Sequence, residues 1–250
     1  MTAGANRKRF CRSKVVLTIL LMTLGSIAML LVALLTAFRA RRYYSEQMAA
    51  RLGRWSLRIW GVRLIVHDAP AETTEQRVYI SNHTSTIDVF ALIGLALPNT
   101  RFFMSGFLRK LLPLGLIGYL VGTFWTVPQV YPEKRVEIFR RAESVLRRSG
   151  ESVYLSPEGK RVTTGDVGAF NKGSFHLATV LRAPILPFYI ATPPELDPGM
   201  GYCAGPGEVH VYFKPAIVTT GWKLEDLVKN KERVRDLFVE WHHEYRKSPA

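Results

Sequence analysis

The stretch RVYISNHTSTIDVFALIGLAL, residues 77–97, contains the pattern that decides the fold. Residues 77–81 are rich in β-branched and aromatic side chains, which predicts a strand. Residues 86–97 show the apolar spacing of a helix. The polar segment 82–88 lies between them, so the stretch predicts a strand that passes through a short turn directly into a helix.

The same alternation of strand and helix continues through the rest of the chain. Further strands are predicted at residues 62–66, 101–105, 123–127, 152–156, 185–190 and 208–213. Further helices are predicted at residues 132–149, 172–181 and 224–245. Such alternation is typical of an α/β fold, so we expect residues 64–250 to form one domain with a central, mainly buried β-sheet flanked by helices. Residues 193–207, rich in Pro and Gly, predict its longest loop.

Positive charge is concentrated near the N terminus. The whole chain has a formal net charge of +14, and residues 1–63 contribute +11 of it, from 12 Lys and Arg against one acid. Residues 64–250 carry 22 basic and 19 acidic side chains, a net charge of +3. A nucleic-acid-binding domain is strongly basic and carries a recognisable motif, so we expect no nucleic-acid partner. Two cysteines in 250 residues exclude a disulfide scaffold.

A run without charged side chains, residues 15–38, lies inside this basic region. A membrane-spanning helix needs about 20 apolar residues, and the run exceeds the apolar core of a signal peptide, so we expect a retained, membrane-embedded helical segment. Basic residues flank both ends: Arg7, Lys8, Arg9, Arg12 and Lys14 before it, and Arg39, Arg41 and Arg42 after it. Because Lys and Arg mark the cytoplasmic side, two topologies stay open, a simple span and a re-entrant hairpin that turns near Gly25 and Ser26.

An amphipathic helix is predicted to follow at residues 43–61. Its apolar positions recur at helical spacing, at Tyr44, Met48, Leu52, Trp55, Ile59 and Val62, with Arg51, Arg54 and Arg58 alongside them. Such a helix suits the headgroup boundary of an anionic membrane, and it also suits an ordinary helix that covers a core. We expect residues 1–63 to form a basic membrane-anchoring region in which Cys11 is an idle thiol rather than a lipidated one.

Residues 111–127 form a second stretch free of charged side chains. Pro113, Gly115, Gly118 and Gly122 interrupt it, and it is short for a membrane span. We therefore expect a buried helix–strand pair, or a wall of a lipid-facing tunnel, at this place in the chain.

His83 and Asp88 are the candidate catalytic pair. On a continuous helix, residues five apart would point in different directions, because each residue turns the helix by about 100°. On a turn between a strand and a helix, the carboxylate can reach back to one imidazole nitrogen, which fixes the tautomer and raises the basicity of the other nitrogen. The pair is then a general base with its orienting group, and it suits a reaction whose nucleophile is an external alcohol.

Other chemistries lack their patterns in this sequence. No Ser lies in a G-x-S-x-G nucleophile elbow, and Gly159-Lys160 has no P-loop framework in front of it. The cluster at residues 242–244 is not H-E-x-x-H, and no Cys/His set has zinc spacing. We therefore expect no metal and no cofactor. Asn82-His83-Thr84 matches the glycosylation pattern, and we interpret this match as chance.

Taken in order, blocks of this sequence resemble those of the glycerolipid acyltransferase family, in particular the 1-acylglycerol-3-phosphate acyltransferases. The first block is N-H-x4-D at residues 82–88, and the third, S-P-E-G-K-R at residues 156–161, is close to the family's F-P-E-G-T-R. The fourth is a proline-bounded apolar strand at residues 183–190. The resemblance covers residues 79–190 and implies a single acyltransferase domain preceded by a membrane-embedded helical segment.

The second block departs from the family's G-x-x-F-I-D-R. Residues 122–128 read G-T-F-W-T-V-P, which keeps the glycine and an aromatic core but lacks the Asp and the Arg. In the family this Arg is expected to help hold the phosphate of the acceptor. Either the acceptor of this chain lacks that phosphate, or Lys160, Arg161 and Lys172 take over its binding.

The resemblance implies transfer of an acyl chain from a co-substrate, acyl-CoA or acyl-carrier protein, to the free hydroxyl of lysophosphatidic acid. His83 and Asp88 would be catalytic, and the substrate-binding residues would be Glu158, Gly159, Lys160, Arg161 and Lys172. Another lysolipid acceptor, such as a lyso-ornithine lipid or a lysophospholipid, stays open, as does a non-catalytic membrane lipid-binding protein. Because lysolipids lie in the bilayer and the thioester donors in the cytoplasm, we expect a site on the cytoplasmic face of a membrane, the inner membrane in a bacterium.

Overall fold

The structure is a computed structural model that describes residues 2–71, 75–196 and 201–247, with the side chains of residues 11–71, 75–196 and 201–245. Its strands are β1 Val62–His67, β2 Val78–Ser81, β3 Thr100–Ser105, β4 Phe124–Thr126, β5 Ser152–Tyr154, β6 Ile185–Ala191 and β7 Gly207–Phe213. They form a seven-stranded sheet in the order β1-β7-β6-β2-β5-β3-β4. All seven predicted strands are confirmed to within two residues at each end.

The sheet is mixed. Strands β6, β2, β5, β3 and β4 are parallel neighbours, β7 is antiparallel to β6, and β1 is parallel to β7. Because parallel strands end at the same edge, the carboxyl ends of β2, β4, β5 and β6 lie together. The loops that follow them therefore surround one place on the molecule.

Eight α-helices are present in the described part of the chain. They are α1 Thr2–Leu35, α2 Arg41–Tyr43, α3 Ala50–Trp60, α4 Asp88–Gly94, α5 Leu112–Val121, α6 Pro132–Ser149, α7 Gly173–Leu181 and α8 Leu227–Lys247. A π-helical segment, Tyr44–Ala49, joins α2 to α3, and 3-10 turns lie at Leu108–Lys110 and Leu224–Asp226. The predicted helices at residues 132–149, 172–181 and 224–245 are confirmed. The helix predicted at 86–97 is shorter, because residues 82–87 form a turn and Ala96 has a positive φ of 55°.

Strand β2 is buried on both of its faces. Val78 and Ile80 face a core shared with α6, α7 and α8, whereas Tyr79 faces a second core shared with α3 and α4. All four residues of β2 are buried. The turn that follows β2 therefore starts from the centre of the domain, where packing on both sides fixes its position.

Helix α1 continues without a break through Gly25 and Ser26. The alternative of a hairpin that turns at these residues was therefore wrong. Gly25 is instead a point of close approach, since a Cβ atom there would lie 2.3 Å from Cδ2 of Leu52 in α3. The chain reverses only after Leu35, and α3 then packs against α1. In the described residues, Cys11–Leu35 is the one helical segment long and apolar enough to span a membrane, and 22% of its most apolar part is buried.

Helix α3 lies within the predicted amphipathic segment and has one buried and one exposed face. Leu52, Leu57 and Trp60 are buried, whereas Trp55 is 46% exposed. The buried face packs closely against α4, where a Cβ atom on Gly53 would lie 2.7 Å from the carbonyl oxygen of Phe90. The helix therefore covers a core with one face and exposes Trp55 on the other.

The stretch 111–127 forms a helix followed by a strand, α5 and β4, as expected. Ile117, Leu120 and Val121 are buried, and Leu112 and Tyr119 are strongly exposed. Helix α5 packs its buried side against the core that α1 also lines. The loop predicted at residues 193–207 is confirmed where it is described, and its residues 197–200 lie outside the described part of the chain.

Cys11 is bonded to Cys203 in a disulfide. The expectation of an idle thiol was therefore wrong. The two residues are separated by 192 positions in the sequence, and their Cα atoms are 5.6 Å apart. The bond joins the first part of α1 to the loop between β6 and β7, a contact that depends on how α1 lies against the sheet domain.

Candidate active site

The centre of the candidate site is the turn between β2 and α4. Nδ1 of His83 lies 2.8 Å from Oδ2 of Asp88, which is 1% exposed. The same carboxylate oxygen accepts hydrogen bonds from the backbone N–H groups of Thr84, at 2.9 Å, and Ser85, at 3.0 Å. Asp88 thus fixes the backbone of the turn as well as the imidazole. Because a carboxylate can only accept, Nδ1 carries the proton and Nε2 has a free lone pair.

Glu158 joins the loop after β5 to this turn. Its Oε2 accepts a hydrogen bond of 2.7 Å from the backbone N–H of His83, and its Oε1 accepts one of 2.8 Å from Gly168. The side chain is 2% exposed. Burial raises the pKa of this carboxyl, and the two backbone N–H bonds partly oppose the shift. With both oxygens occupied by backbone groups, Glu158 orients the loop that carries His83.

Gly159 has a left-handed backbone at the tip of the same loop, with a φ of 68°. A Cβ atom at this position would lie 2.8 Å from Nδ2 of Asn171. That amide group donates to the carbonyl oxygens of Pro157, at 3.0 Å, and Glu158, at 2.9 Å. A side chain at residue 159 would therefore disturb the loop both by strain and by collision.

The three predicted substrate-binding cations occupy different environments. Arg161 is partly buried, and its Nη1 donates a hydrogen bond to Oγ1 of Thr86 in the His83–Asp88 turn. Lys160 and Lys172 are exposed, and in the described part of the chain neither side chain forms a hydrogen bond or ion pair. In the residues that the structure describes, Arg161 contacts the turn, whereas neither lysine side chain forms a hydrogen bond with it.

Asn82 is a site residue that the sequence reasoning left out of the predicted set. Its Nδ2 donates to the carbonyl oxygen of Ile190 at 2.9 Å, and its Oδ1 accepts from the Ile190 N–H at 2.8 Å. The side chain therefore pairs with β6 as a strand backbone would. Its place directly before His83 at a strand end was the available signal. Asn82 is 2% exposed, which agrees with the interpretation of its glycosylation pattern as chance.

A buried hydrogen-bond chain supports the turn from below. The hydroxyl groups of Tyr154 and Ser81 lie 2.9 Å apart, and Ser81 also donates to the carbonyl oxygen of Asn82 at 2.9 Å. Burial raises the pKa of the Tyr154 phenol, and its hydrogen bond with Ser81 partly opposes this. No sequence pattern pointed to Tyr154, because an aromatic residue in a buried strand is an ordinary core residue.

A family model described as Acyltransferase matches residues 63–191 of the chain. The 1-acyl-sn-glycerol-3-phosphate acyltransferase of Pseudomonas aeruginosa is 25% identical over 193 residues, which cover 76% of this chain and 73% of that protein. The chloroplastic 1-acyl-sn-glycerol-3-phosphate acyltransferase BAT2 of Brassica napus is 28% identical over 158 residues, covering 62% of this chain and 44% of that protein.

The fold also has a counterpart among solved structures. The crystal structure of the 1-acyl-sn-glycerophosphate (LPA) acyltransferase PlsC from Thermotoga maritima superposes with a TM-score of 0.72, covers 92% of this chain and 97% of that one, and is 20% identical in sequence. This likeness shows the α/β fold with its flanking helices.

The family model covers the sheet from β1 to β6 and includes the whole His83–Asp88 turn. The chain belongs to the acyltransferase family, and to the part of it that resembles the 1-acylglycerol-3-phosphate acyltransferases. The chain spans between 44% and 64% of the length of the first three of the curated relatives it matches.

Proposed function

We propose that the protein is a membrane-bound O-acyltransferase that moves a fatty acyl chain from acyl-CoA or acyl-carrier protein to the free hydroxyl of lysophosphatidic acid, forming phosphatidic acid. The observation that carries this proposal is the 2.8 Å bond between His83 and Asp88. It provides an oriented base at the carboxyl edge of the sheet, and the sequence offers no nucleophile elbow to go with it. A base of this kind serves a substrate that brings its own nucleophile.

The proposed reaction uses Nε2 of His83 as the base. It takes the proton of the acceptor hydroxyl as the oxygen attacks the thioester carbonyl, and the buried Asp88 carboxylate stabilises the imidazolium that forms. When the tetrahedral intermediate collapses, the C–S bond breaks and the imidazolium returns its proton to the departing thiolate. The products are the ester and the free thiol, and no cofactor takes part.

Arg161 is the proposed anchor for the acceptor headgroup, with Lys160 and Lys172 as outer cations. A guanidinium binds phosphate or carboxylate through two parallel hydrogen bonds. The contact between Arg161 and Thr86 supports this role, because it holds the cation beside the turn that carries the base. Glu158 and Gly159 contribute by shaping the loop from which Arg161 extends.

The acyl chain of the donor is proposed to enter an apolar crevice whose accessible volume in the structure is only about 20 Å³, so the side chains that line it would have to move apart. Its walls come from α4, β3 and α5 and include Val89, Ile93, Phe102, Met104, Leu114 and Ile117. Val89, one of the lining residues, directly follows Asp88 in the sequence. The side chains of the crevice offer the apolar contacts that a hydrocarbon chain requires.

Membrane attachment is proposed to occur through α1. Between residues 15 and 35 its exposed side chains are all apolar, among them Val16, Leu17, Ile19, Leu20, Leu24, Ile27, Leu31, Leu34 and Leu35. An apolar surface of this size would be unusual on a protein surrounded by water, whereas a lipid bilayer would cover it. We infer that the site lies at the cytoplasmic face, where the thioester donors are found and where the lysolipid can reach it from the bilayer.

A second candidate acceptor is favoured by the altered second block. Strand β4 ends at Thr126 and is followed by Val127 and Pro128, where the family pattern has Asp and Arg. A lyso-ornithine lipid or another lysophospholipid would place a different headgroup near Arg161. The choice between these acceptors depends on which headgroup chemistry Arg161 and the outer lysines tolerate.

An acceptor panel tests the proposal. The purified chain, reconstituted in vesicles, is given one labelled acyl-CoA or acyl-carrier protein and separately lysophosphatidic acid, a lyso-ornithine lipid, lysophosphatidylcholine and monoacylglycerol, with products identified by mass. Incorporation into lysophosphatidic acid, absent in His83→Ala, is the expected result. Incorporation only into another lysolipid would favour the second candidate. Lipid binding without transfer to any acceptor would contradict both and indicate a binding protein.

A further inference from the structure

The disulfide between Cys11 and Cys203 holds a described segment of the β6–β7 loop beside the candidate site. Two residues before Cys203, the carbonyl oxygen of Gly201 accepts a hydrogen bond of 2.8 Å from Oγ1 of Thr86. Thr86 belongs to the turn between His83 and Asp88. The covalent bond to α1 thus acts only two residues away from a direct contact with the turn.

Thr86 forms hydrogen bonds on both sides. Its Oγ1 donates to Gly201 and accepts from Nη1 of Arg161. A hydroxyl group has one donor and two acceptor positions, so it can make both bonds together, and the first bond fixes the direction in which its lone pairs point. The disulfide, Gly201, Thr86 and Arg161 therefore form a continuous series of contacts.

We propose that Thr86 is a positioning residue for Arg161, and that the disulfide-held segment Gly201–Cys203 fixes Thr86 in that role. The inference rests on the proposed function, in which Arg161 binds the anionic headgroup of the acceptor. An arginine side chain has many rotamers, and holding it in one of them before binding reduces the entropy lost when the acceptor arrives. The bond to Thr86 uses one of five guanidinium N–H groups, which leaves Nε and Nη2 for a bidentate contact with phosphate or carboxylate.

In this arrangement, Thr86 and the disulfide affect the binding of the acceptor and leave the chemical step unchanged. Loss of the Thr86 hydroxyl, or of the disulfide, should raise the KM for an anionic acceptor. The KM for the thioester donor and the pH profile of kcat should stay unchanged, because His83 and Asp88 keep their own bonds. The protein with the disulfide intact should therefore have a lower KM for the acceptor than the same protein after reduction.

The test compares Thr86→Val and Cys203→Ser with wild type, and uses Thr220→Val, an exposed position after the last strand, as the matched control. Each protein is assayed with lysophosphatidic acid and with monoacylglycerol, which lacks the anionic headgroup. For Thr86→Val we expect the KM for lysophosphatidic acid to rise roughly tenfold, the effect of one hydrogen bond to a charged group. The KM for monoacylglycerol should not move.

Reduction provides a second, independent arm. Wild type is treated with a water-soluble phosphine, which reduces the disulfide to two thiols and takes up oxygen from water to become the phosphine oxide. The phosphine is removed before the assay, and it is used because a thiol reductant would cleave the thioester donor. Reduced wild type should match Cys203→Ser in its raised acceptor KM, and Cys203→Ser itself should not respond to the phosphine.

The possible outcomes are distinct. An equal rise in KM for both acceptors would overturn the positioning role, because it would indicate a general disturbance of the turn. An unchanged KM for lysophosphatidic acid in Thr86→Val would also overturn the positioning role. In that case, transfer by the wild-type protein would leave the proposed function in place. Wild type that transfers to no acceptor would refute the proposed function and, with it, the assignment of Arg161 to an acceptor.

Discussion

Nδ1 of His83 lies 2.8 Å from Oδ2 of Asp88, although the two residues are five positions apart in the chain. The contact exists because α4 begins only at Asp88, so that residues 82–87 are free to form a turn. Asp88 is the first residue of that helix, and its carboxylate also accepts the N–H groups of Thr84 and Ser85. The base, its partner and the backbone that joins them are therefore one hydrogen-bonded unit.

Removal of either member of this unit should abolish transfer without unfolding the protein. We expect His83→Ala and Asp88→Asn to lower kcat by about 10²- to 10⁴-fold, since the first removes the base and the second removes the charge that stabilises the imidazolium. Steady-state kinetics with the preferred acceptor measure this, with circular dichroism to establish folding. Near-normal turnover in a folded variant of either kind would exclude this mechanism.

The regular parts of the fold could be predicted because their signals are local. Strand β2 and helix α6 show their own spacing and end signals, and α6 begins at Pro132 and ends before Gly150 as predicted. The His83–Asp88 pair was predictable for the same reason, since both residues lie in one short segment. Such local predictions hold because the conformation that each segment prefers agrees with its place in the sheet or among the helices.

The contacts that join distant segments could not be predicted from one sequence. The disulfide depends on α1 lying beside the β6–β7 loop, 192 positions away. The pairing of Asn82 with Ile190 spans 108 positions, and it requires β6 to be the neighbour of β2. Which apolar side chains of α3 are buried likewise follows from its neighbours, which the periodicity of α3 alone does not specify. Such features arise from the order of strands and helices in space.

Asn82→Ala should destabilise the protein and also lower its activity. The substitution leaves both backbone groups of Ile190 without their partner at a buried position, and each unsatisfied group costs about 1–3 kcal/mol. We expect the free energy of unfolding to fall by roughly 2 kcal/mol or more, and kcat to fall because β2 and the turn lose their anchor on β6. Urea denaturation in detergent measures the change in the free energy of unfolding.

The half-buried Asn230 in α8 provides the control for this variant. Asn230→Ala should change the free energy of unfolding by no more than about 0.5 kcal/mol, as is usual away from buried networks. If Asn82→Ala lowered the free energy of unfolding by as little as Asn230→Ala, the pairing of Asn82 with β6 would not anchor the turn.

Tyr154→Phe should change how stability depends on alkaline pH. Burial raises the pKa of the Tyr154 phenol in the folded protein, whereas the unfolded chain has the ordinary value near 10. The folded state therefore holds this proton more tightly, so its stabilising contribution is complete below the unfolded pKa and is lost as the pH rises toward the folded pKa. Above the unfolded value, this one residue should lower wild-type stability by about 1.4 kcal/mol per pH unit relative to Tyr154→Phe.

Urea denaturation at pH 8 and pH 11 measures this difference, with the exposed Tyr119→Phe as the control. At pH 8 Tyr154→Phe should be less stable than wild type by about 1 kcal/mol, because Ser81 loses its hydroxyl partner. The gap should close or reverse at pH 11. A constant gap at both values would mean that Tyr154 titrates alike in the folded and unfolded chain.

Glu151→Gln should weaken the attachment of the N-terminal region to the sheet. The side chain of Glu151 is 5% exposed and pairs with Arg41 of α2 and with Arg101 of β3, whose Nε lies 2.6 Å from Oε2. Burial, together with the nearby charge of Arg41, lowers the pKa of Arg101 to about 10. Glutamine removes the negative charge and leaves two partly buried guanidinium groups facing each other. We expect a loss of about 3 kcal/mol in the free energy of unfolding.

The ion pair between Glu143 and Arg147 supplies the comparison for that variant. It lies on the more exposed surface of α6 with a separation of 2.8 Å, so solvent screens it. Glu143→Gln should therefore cost less than about 1 kcal/mol in the same urea titration. Wild type should unfold in a single transition monitored by Trp fluorescence, whereas Glu151→Gln should release the helices of residues 2–60 at lower urea, detected by limited proteolysis. Equal losses in the two variants, with proteolysis unchanged, would show that Glu151 does not couple the N-terminal helices to the sheet.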